Sequence, residues 1–147
     1  SYHDHEIVLA NRDAQAGARS GPARSADDRT MAYAMYTDPP LGRVGMSETE
    51  ARASGRPMLI ASFDMKNISR AKEESETAGL IQLLVDAQSG RFAGATVLGM
   101  NGDEVIQVIS NFMATGAHYQ VLKDALPVHP TVTEFLPTIL GKLKPLA

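Results

Sequence analysis

The sequence predicts an α+β domain, a mostly antiparallel sheet with helices packed on it, and three observations carry that prediction. Strand-like runs come first and helical periodicity follows, so the two kinds of element are grouped rather than alternating. Gly79 to Asp86 (GLIQLLVD) and Arg91 to Gly99 (RFAGATVLG) are nearly continuous apolar runs joined by Ala87-Gln88-Ser89-Gly90, the pattern of an antiparallel hairpin. From Asn101 onward the apolar residues recur at helical spacing instead.

In chain order, residues 1–16 read as a short helix whose strong apolar cluster is Ile7, Val8 and Leu9. One such cluster cannot hold a helix without a neighbour. Residues 17–30 (GARSGPARSADDRT) have almost nothing to bury and read as a linker, which puts the folded domain at residues 31–147. Met31 to Thr37 fits a strand with Tyr33, Met35 and Thr37 on one face. Asp38-Pro39-Pro40 ends it, because proline restricts both itself and its predecessor. Arg43 to Met46 is extended and leads into Ser47-Glu48-Thr49-Glu50, a capping box opening a brief helix that Gly55 and Pro57 close. Met58 to Met65 reads as a strand. Lys66 to Ala78, carrying Arg70, Lys72, Glu73, Glu74 and Glu76, reads as a solvated connection.

The apolar content of the hairpin predicts a central place in the sheet, covered by helices on at least one face. Asn101 opens the longest helix, with Glu104 three residues on. Its apolar stripe is Val105, Ile106, Val108, Ile109, Phe112 and Met113, and Gly116 is its C-cap. Tyr119 to Ala125 adds one or two helical turns before Pro127. The final helix buries Val132, Phe135, Leu136, Ile139 and Leu140, with a kink expected at the internal Pro137. The methionines read as core filler rather than as a ligand set.

The chain has 147 residues, enough for one domain with a real core. Its net charge of -3 gives no reason to expect nucleic acid or an anionic membrane as a partner. No apolar run approaches the roughly 20 residues of a spanning helix. The first residues, Ser1-Tyr2-His3-Asp4-His5-Glu6, are polar rather than signal-like, so a cytoplasmic location is expected. There is no cysteine, which excludes a disulfide framework, a thiolate metal site and a cysteine nucleophile within the chain. The start at Ser1 rather than methionine suggests a fragment.

The stretch with most chemical content is Val128 to Leu136 (VHPTVTEFL). Thr131 and Glu134 have capping-box spacing, so Glu134 points back to the helix start, where His129 enters. A carboxylate holding an imidazole is half of a general acid/base device. The other reading is a structural histidine, with Glu134 serving only backbone donors; two carboxylate oxygens allow both roles. The His129-Pro130 bond can adopt cis at modest cost. His3, Asp4 and His5 lack further ligands and read as exposed, and a metal site on His129 and Glu134 is weak for the same reason. No G-x-S-x-G elbow supports a serine hydrolase. Gly99-Met100-Asn101-Gly102 lacks the third glycine of a dinucleotide fingerprint, and Asp38, Glu73 and Glu76 offer no carboxylate pair. Spacing alone names no substrate.

Asp38-Pro39-Pro40-Leu41-Gly42-Arg43-Val44-Gly45-Met46, then Ser69-Arg70-Ala71, then His129-Pro130-Thr131 with Glu134, appear in that order. Together they resemble the C-terminal dimerisation domain of flavin-dependent pyridine nucleotide-disulfide oxidoreductases, the group of dihydrolipoamide dehydrogenase, glutathione reductase and mercuric reductase. The resemblance covers roughly residues 31 to 145, and residues 1–16 resemble the helix that ends the preceding FAD-binding domain. It implies a homodimer in which hydride passes from NAD(P)H to FAD and electrons then reach a cysteine pair. It also implies that His129 serves as acid/base toward the partner subunit's thiols and that Glu134 holds its ring. The backbone at His129 and Pro130 would contact the partner's flavin, across a cis His129-Pro130 bond.

Such a histidine, tuned by a carboxylate, suits thiol-disulfide exchange, which takes a proton from one thiol and gives it to another. The chain departs from the family pattern in lacking redox cysteines and any Gly-rich FAD or NAD(P) fingerprint. The expectation is therefore a domain without its catalytic half: no cofactor bound to the fragment, no activity alone, and FAD and NAD(P)H in a longer parent. Asp38 to Arg52 resembles proteins labelled mercuric reductase. Retention of His129 and an ending without cysteines point instead to a dihydrolipoamide-dehydrogenase-like or general disulfide reductase parent.

Overall fold

The computed structural model describes residues 2–18, 23–27 and 29–146. It divides into two compact units, residues 1–30 and 31–147. In the first, α1 spans Tyr2–Gln15 and buries Ile7 and Ala10. Of the expected apolar cluster, Val8 instead stands 65% exposed. The Asn11 amide brackets the Arg24 main chain, donating from Nδ2 to its carbonyl and accepting from its N–H, both at 2.8 Å. Arg29 pairs with Asp4. Residues 19–22 and 28 of the expected linker lie outside the described residues.

The second unit is built on six strands: β1 (Ala32–Met35), β2 (Leu41–Gly45), β3 (Met58–Asp64), β4 (Leu80–Asp86), β5 (Phe92–Leu98) and β6 (Lys144–Pro145). They lie in the order β1-β2-β5-β4-β3-β6 with every pairing antiparallel. The α+β class is as predicted, and the apolar hairpin β4–β5 occupies the centre of the sheet. One face packs on α4 (Gly102–Thr115), α5 (Tyr119–Lys123) and α6 (Leu136–Leu140): Val44, Ile81, Leu83, Val85, Ala95 and Val97 meet Val105, Ile109, Leu122, Leu136 and Ile139. Ile81, Leu83, Ile109, Leu136 and Ile139 are fully buried, each worth about 1.5–3 kcal/mol of transfer free energy. On the other face Ala51 of α2 (Glu48–Ala53) packs with Met58, Ile60 and Leu84.

Two joints keep these layers in register. Gly42 of β2 lies so close to α4 that a Cβ there would sit 2.3 Å from the Gly102 carbonyl oxygen and 2.8 Å from the Ile106 side chain. At the hairpin turn the buried Asp86 carboxylate accepts from the N–H of Gln88 and Ser89 and from the Ser89 hydroxyl, and pairs with Arg56. The Ser89 hydrogen bonds, with Arg56 behind them, hold the Asp86 carboxyl at a pKa of about 2. The Ser47–Glu50 capping box forms as predicted, and the Ser47 N–H and hydroxyl hold the Glu50 carboxyl below its ordinary pKa.

Four expectations are corrected. The segment 66–78 is not a plain solvated connection: a 3₁₀ turn (Met65–Asn67) leads into it and α3 (Ser69–Glu73) follows, with Ile68 and Ala71 as fully buried as Met65 before them. Its charges face outward and mask an apolar residue at every third position. Asn101 precedes α4 in the left-handed conformation at φ 55° and caps nothing with its side chain. Its carbonyl accepts from the Glu104 and Val105 N–H, at 3.0 and 2.8 Å, while the Glu104 N–H takes Asp103 Oδ1 at 3.1 Å as a second acceptor. Pro137 does not kink a helix, because α6 starts only at Leu136 and proline in a first turn lacks only an N–H that would be unpaired anyway. A 3₁₀ turn (Thr133–Phe135) precedes it. Finally, the methionines divide: Met58, Met65 and Met100 are buried, whereas Met31 and Met35 are 64% and 48% exposed. The two-residue β6 and the cis Asp38-Pro39 bond were outside the sequence expectation.

Candidate functional site at His129 and Glu134

The loop between α5 and α6 is anchored from below by apolar side chains. Val132 and Leu136 are 2% and 0% exposed, and the Phe135 ring lies 6.0 Å from that of Phe63 at the end of β3. These contacts fix the 3₁₀ turn that carries Glu134. The His129-Pro130 bond is cis. The spacing-based expectation that Glu134 points back to the start of its helix holds, with a refinement. The Glu134 N–H donates to Thr131 Oγ1 at 3.1 Å, one arm of the capping box. The carboxylate reaches the imidazole in place of the Thr131 N–H: Glu134 Oε2 is 2.7 Å from His129 Nδ1.

The burial of the pair is asymmetric. The Glu134 side chain is 12% exposed and that of His129 is 74% exposed. An ionised carboxylate only accepts, so Nδ1 carries the proton of the neutral ring and Nε2 presents its lone pair outward. An imidazole so held can take up and return a proton at Nε2 while its partner stabilises the charged ring. His129 therefore does not face the core, the placement a purely structural histidine would favour.

Pro130 and Thr131 line a cleft of about 310 Å³ together with Arg70, Asn101, Glu104 and Thr133. The Ser69-Arg70-Ala71 and His129-Pro130-Thr131 motifs, far apart in sequence, thus meet at one place. Arg70 is itself engaged by Glu73 and Glu74, at 3.3 and 2.6 Å. Val108, Leu122, Leu126, Val128 and Pro137 line a second, apolar groove, in which Leu126 is 94% and Val128 72% exposed. No group of three or more potential metal ligands occurs among the described residues. His3, Asp4 and His5 all lie on α1, where Asp4 is engaged by Arg29.

Two residues escaped sequence reasoning, one at the site and one at the hairpin turn between β4 and β5. Thr133 Oγ1 lies 3.0 Å from Thr131 Oγ1, a contact that only the turn geometry creates. His118 caps α5, its Nδ1 accepting from the Gln120 N–H at 3.2 Å while its ring stacks on Tyr119 and fills the space a side chain at Gly90 would need. Histidine is not among the side chains favoured at a helix start, so no local signal announced it.

Comparisons with known proteins converge on one family. The family model described as the dimerisation domain of pyridine nucleotide-disulphide oxidoreductases matches residues 31–139. A curated relative, the probable pyridine nucleotide-disulfide oxidoreductase RclA of Escherichia coli, is 34% identical over 122 residues, covering 82% of this chain and 28% of the relative. Dihydrolipoyl dehydrogenase 2 of Haloarcula marismortui is 28% identical over 127 residues, covering 86% of this chain and 27% of its own. The solved structure of the HOCl-induced flavoprotein disulfide reductase RclA from Escherichia coli superposes with a TM-score of 0.84 at 33% identity, over 97% of this chain and 32% of that one. The chain thus spans less than a third of the length of the relatives it matches.

Proposed function

The chain belongs to the dimerisation-domain family of pyridine nucleotide-disulfide oxidoreductases, and from that premise we propose that His129, held by Glu134, is the acid/base group for a redox disulfide on the partner subunit of a homodimer. The observation that carries this reading is the pair itself: a 2.7 Å contact through Nδ1, with the His129 side chain 74% exposed. A protonatable nitrogen presented outward from a rigid turn is what a thiol or thiolate approaching from another subunit requires.

In this reading residues 31–147 are the dimerisation domain, 17–30 a linker, and 1–16 the last helix of a preceding FAD-binding domain. The parent binds FAD and NAD(P)H in regions that this chain, with no cysteine and no Gly-rich fingerprint, does not contain. FAD and the nicotinamide would supply electron transfer. This chain's part is to hold and move a proton at His129 Nε2 and to offer the backbone of His129 and Pro130 to the partner's flavin. The exposed apolar residues beside His129, Leu126 and Val128, are consistent with a surface that a second subunit covers. No helix among the described residues is long and apolar enough to cross a membrane.

The test is NAD(P)H-dependent disulfide reduction by the parent, its His129→Ala variant and the 147-residue chain with added FAD. We expect turnover by the parent, a loss of about 10²–10⁴-fold in His129→Ala, and none by the chain alone. Undiminished turnover in His129→Ala would favour the alternative, a non-catalytic homodimerisation module with a structural histidine.

A further inference from the structure

The hydrogen-bond inventory of the loop closes on one atom. Thr131 Oγ1 donates to the Val128 carbonyl at 2.7 Å and accepts from the Glu134 N–H at 3.1 Å. Thr133 Oγ1 lies 3.0 Å away. A hydroxyl has one proton and two acceptor lone pairs. Because the Thr131 proton is committed to Val128, Thr133 must be the donor in the third contact. The Thr131 oxygen is then saturated, and it ties the residue before His129 to the residue whose side chain holds the His129 ring.

That ring has little else to orient it. It is 74% exposed, and Glu134 is its hydrogen-bond partner among the described residues. We propose that Thr131 is a positioning residue for the His129–Glu134 pair: its hydroxyl fixes the distance between the Val128 carbonyl and the Glu134 N–H, and through it the Nδ1–H tautomer that leaves Nε2 free. The side chain this requires is narrow. Serine supplies the same donor and two acceptors, whereas valine has the shape of threonine without them. With valine, the Val128 carbonyl and the Glu134 N–H both turn to water, and the turn loses the restraint that sets Glu134 Oε2 against Nδ1. The catalytic meaning rests on the function proposed above, but the positioning itself does not.

The experiment reads the imidazole ¹⁵N shifts of His129 in the 147-residue chain for wild type, Thr131→Ser and Thr131→Val, with amide spectra confirming the fold. We expect the Nδ1–H tautomer in wild type and in Thr131→Ser. In Thr131→Val it should be lost to the mixture of an unrestrained imidazole. An unchanged tautomer in Thr131→Val, or the same loss in Thr131→Ser, would overturn the proposal. Should Thr131→Val fail to fold, the wild-type chain still decides. A Thr131 hydroxyl proton protected from exchange and close to Val128 supports the proposal, and a freely exchanging one refutes it. A negative result here leaves the parent's dependence on His129 untouched, and a parent indifferent to His129 leaves this result standing.

Discussion

Replacing Glu134 separates the stability of the turn from the chemistry of the ring. The bond lost in Glu134→Ala is a 2.7 Å contact to an exposed ring, with the carboxylate only 12% exposed. Breaking a fully buried ion pair costs about 3–5 kcal/mol, because a charge is left without water or partner. Here the imidazole can turn to solvent, so the loss belongs with ordinary hydrogen bonds at about 0.5–1.5 kcal/mol. The backbone arm to Thr131 survives any side-chain change at this position, which keeps the turn itself in place. Urea unfolding of the 147-residue chain should therefore show a loss of about 1 kcal/mol for Glu134→Ala, a shift of a few degrees in Tm for a domain this size. Glu134→Gln, whose amide oxygen can still accept from Nδ1, should lose less. In the parent, a tenfold drop in rate corresponds to about 1.4 kcal/mol of transition-state stabilisation, and a misoriented base should cost one to two such steps, about 10–100-fold. A stability loss above about 3 kcal/mol would refute the exposure argument. Wild-type turnover in a parent carrying Glu134→Ala would refute the anchoring role.

Two further outcomes follow from the fold. Because the Asp86 carboxyl is held at about 2 in the folded chain against an ordinary 3.8, its contribution is present above the unfolded value and disappears as pH falls between them. The urea midpoint should fall between pH 5 and pH 2, and Asp86→Asn should flatten that dependence; equal slopes in both proteins would contradict it. Gly42→Ala sets two effects against each other. Removing a glycine restricts the unfolded chain and stabilises by about 0.4–1 kcal/mol where the native backbone accepts alanine. The added Cβ, however, would sit 2.3 Å from a backbone oxygen of α4, and overpacking of that kind costs about 1–3 kcal/mol. The clash should win, and a midpoint at or above wild type would show that α4 moves away freely.

What was legible in the sequence was what local chemistry decides. The β4–β5 hairpin announced itself through two apolar runs and a four-residue turn, and its central place followed from having no polar face to offer water. The Ser47–Glu50 box and the Gly116 cap were readable because each is a single short-range hydrogen-bond pattern. Ile68 and Ala71 were hidden because their spacing of three is short and flanked by charges that dominate composition. The two-residue β6 depends on β3 being present to receive it, so nothing local could announce it. At the site, the Thr131–Glu134 spacing placed the carboxylate correctly. That its oxygen goes to His129 rather than back to the Thr131 N–H is decided by the path of the loop, which spacing does not encode. The cleft shared by Arg70 and Pro130 is likewise a tertiary product, since only the packed domain brings residues 70 and 130 together.

In the proposed function His129 acts on the partner subunit rather than on its own. Subunit mixing in the parent tests it directly, with one inactive variant carrying His129→Ala and another lacking the redox cysteines. If the site is shared, equal mixing of these variants should restore about a quarter of the wild-type sites, since about half the dimers are mixed and each mixed dimer holds one intact pairing. If His129 serves its own subunit, no mixed dimer contains a complete site, and mixtures that exchange subunits yet stay inactive would show that the site is not shared.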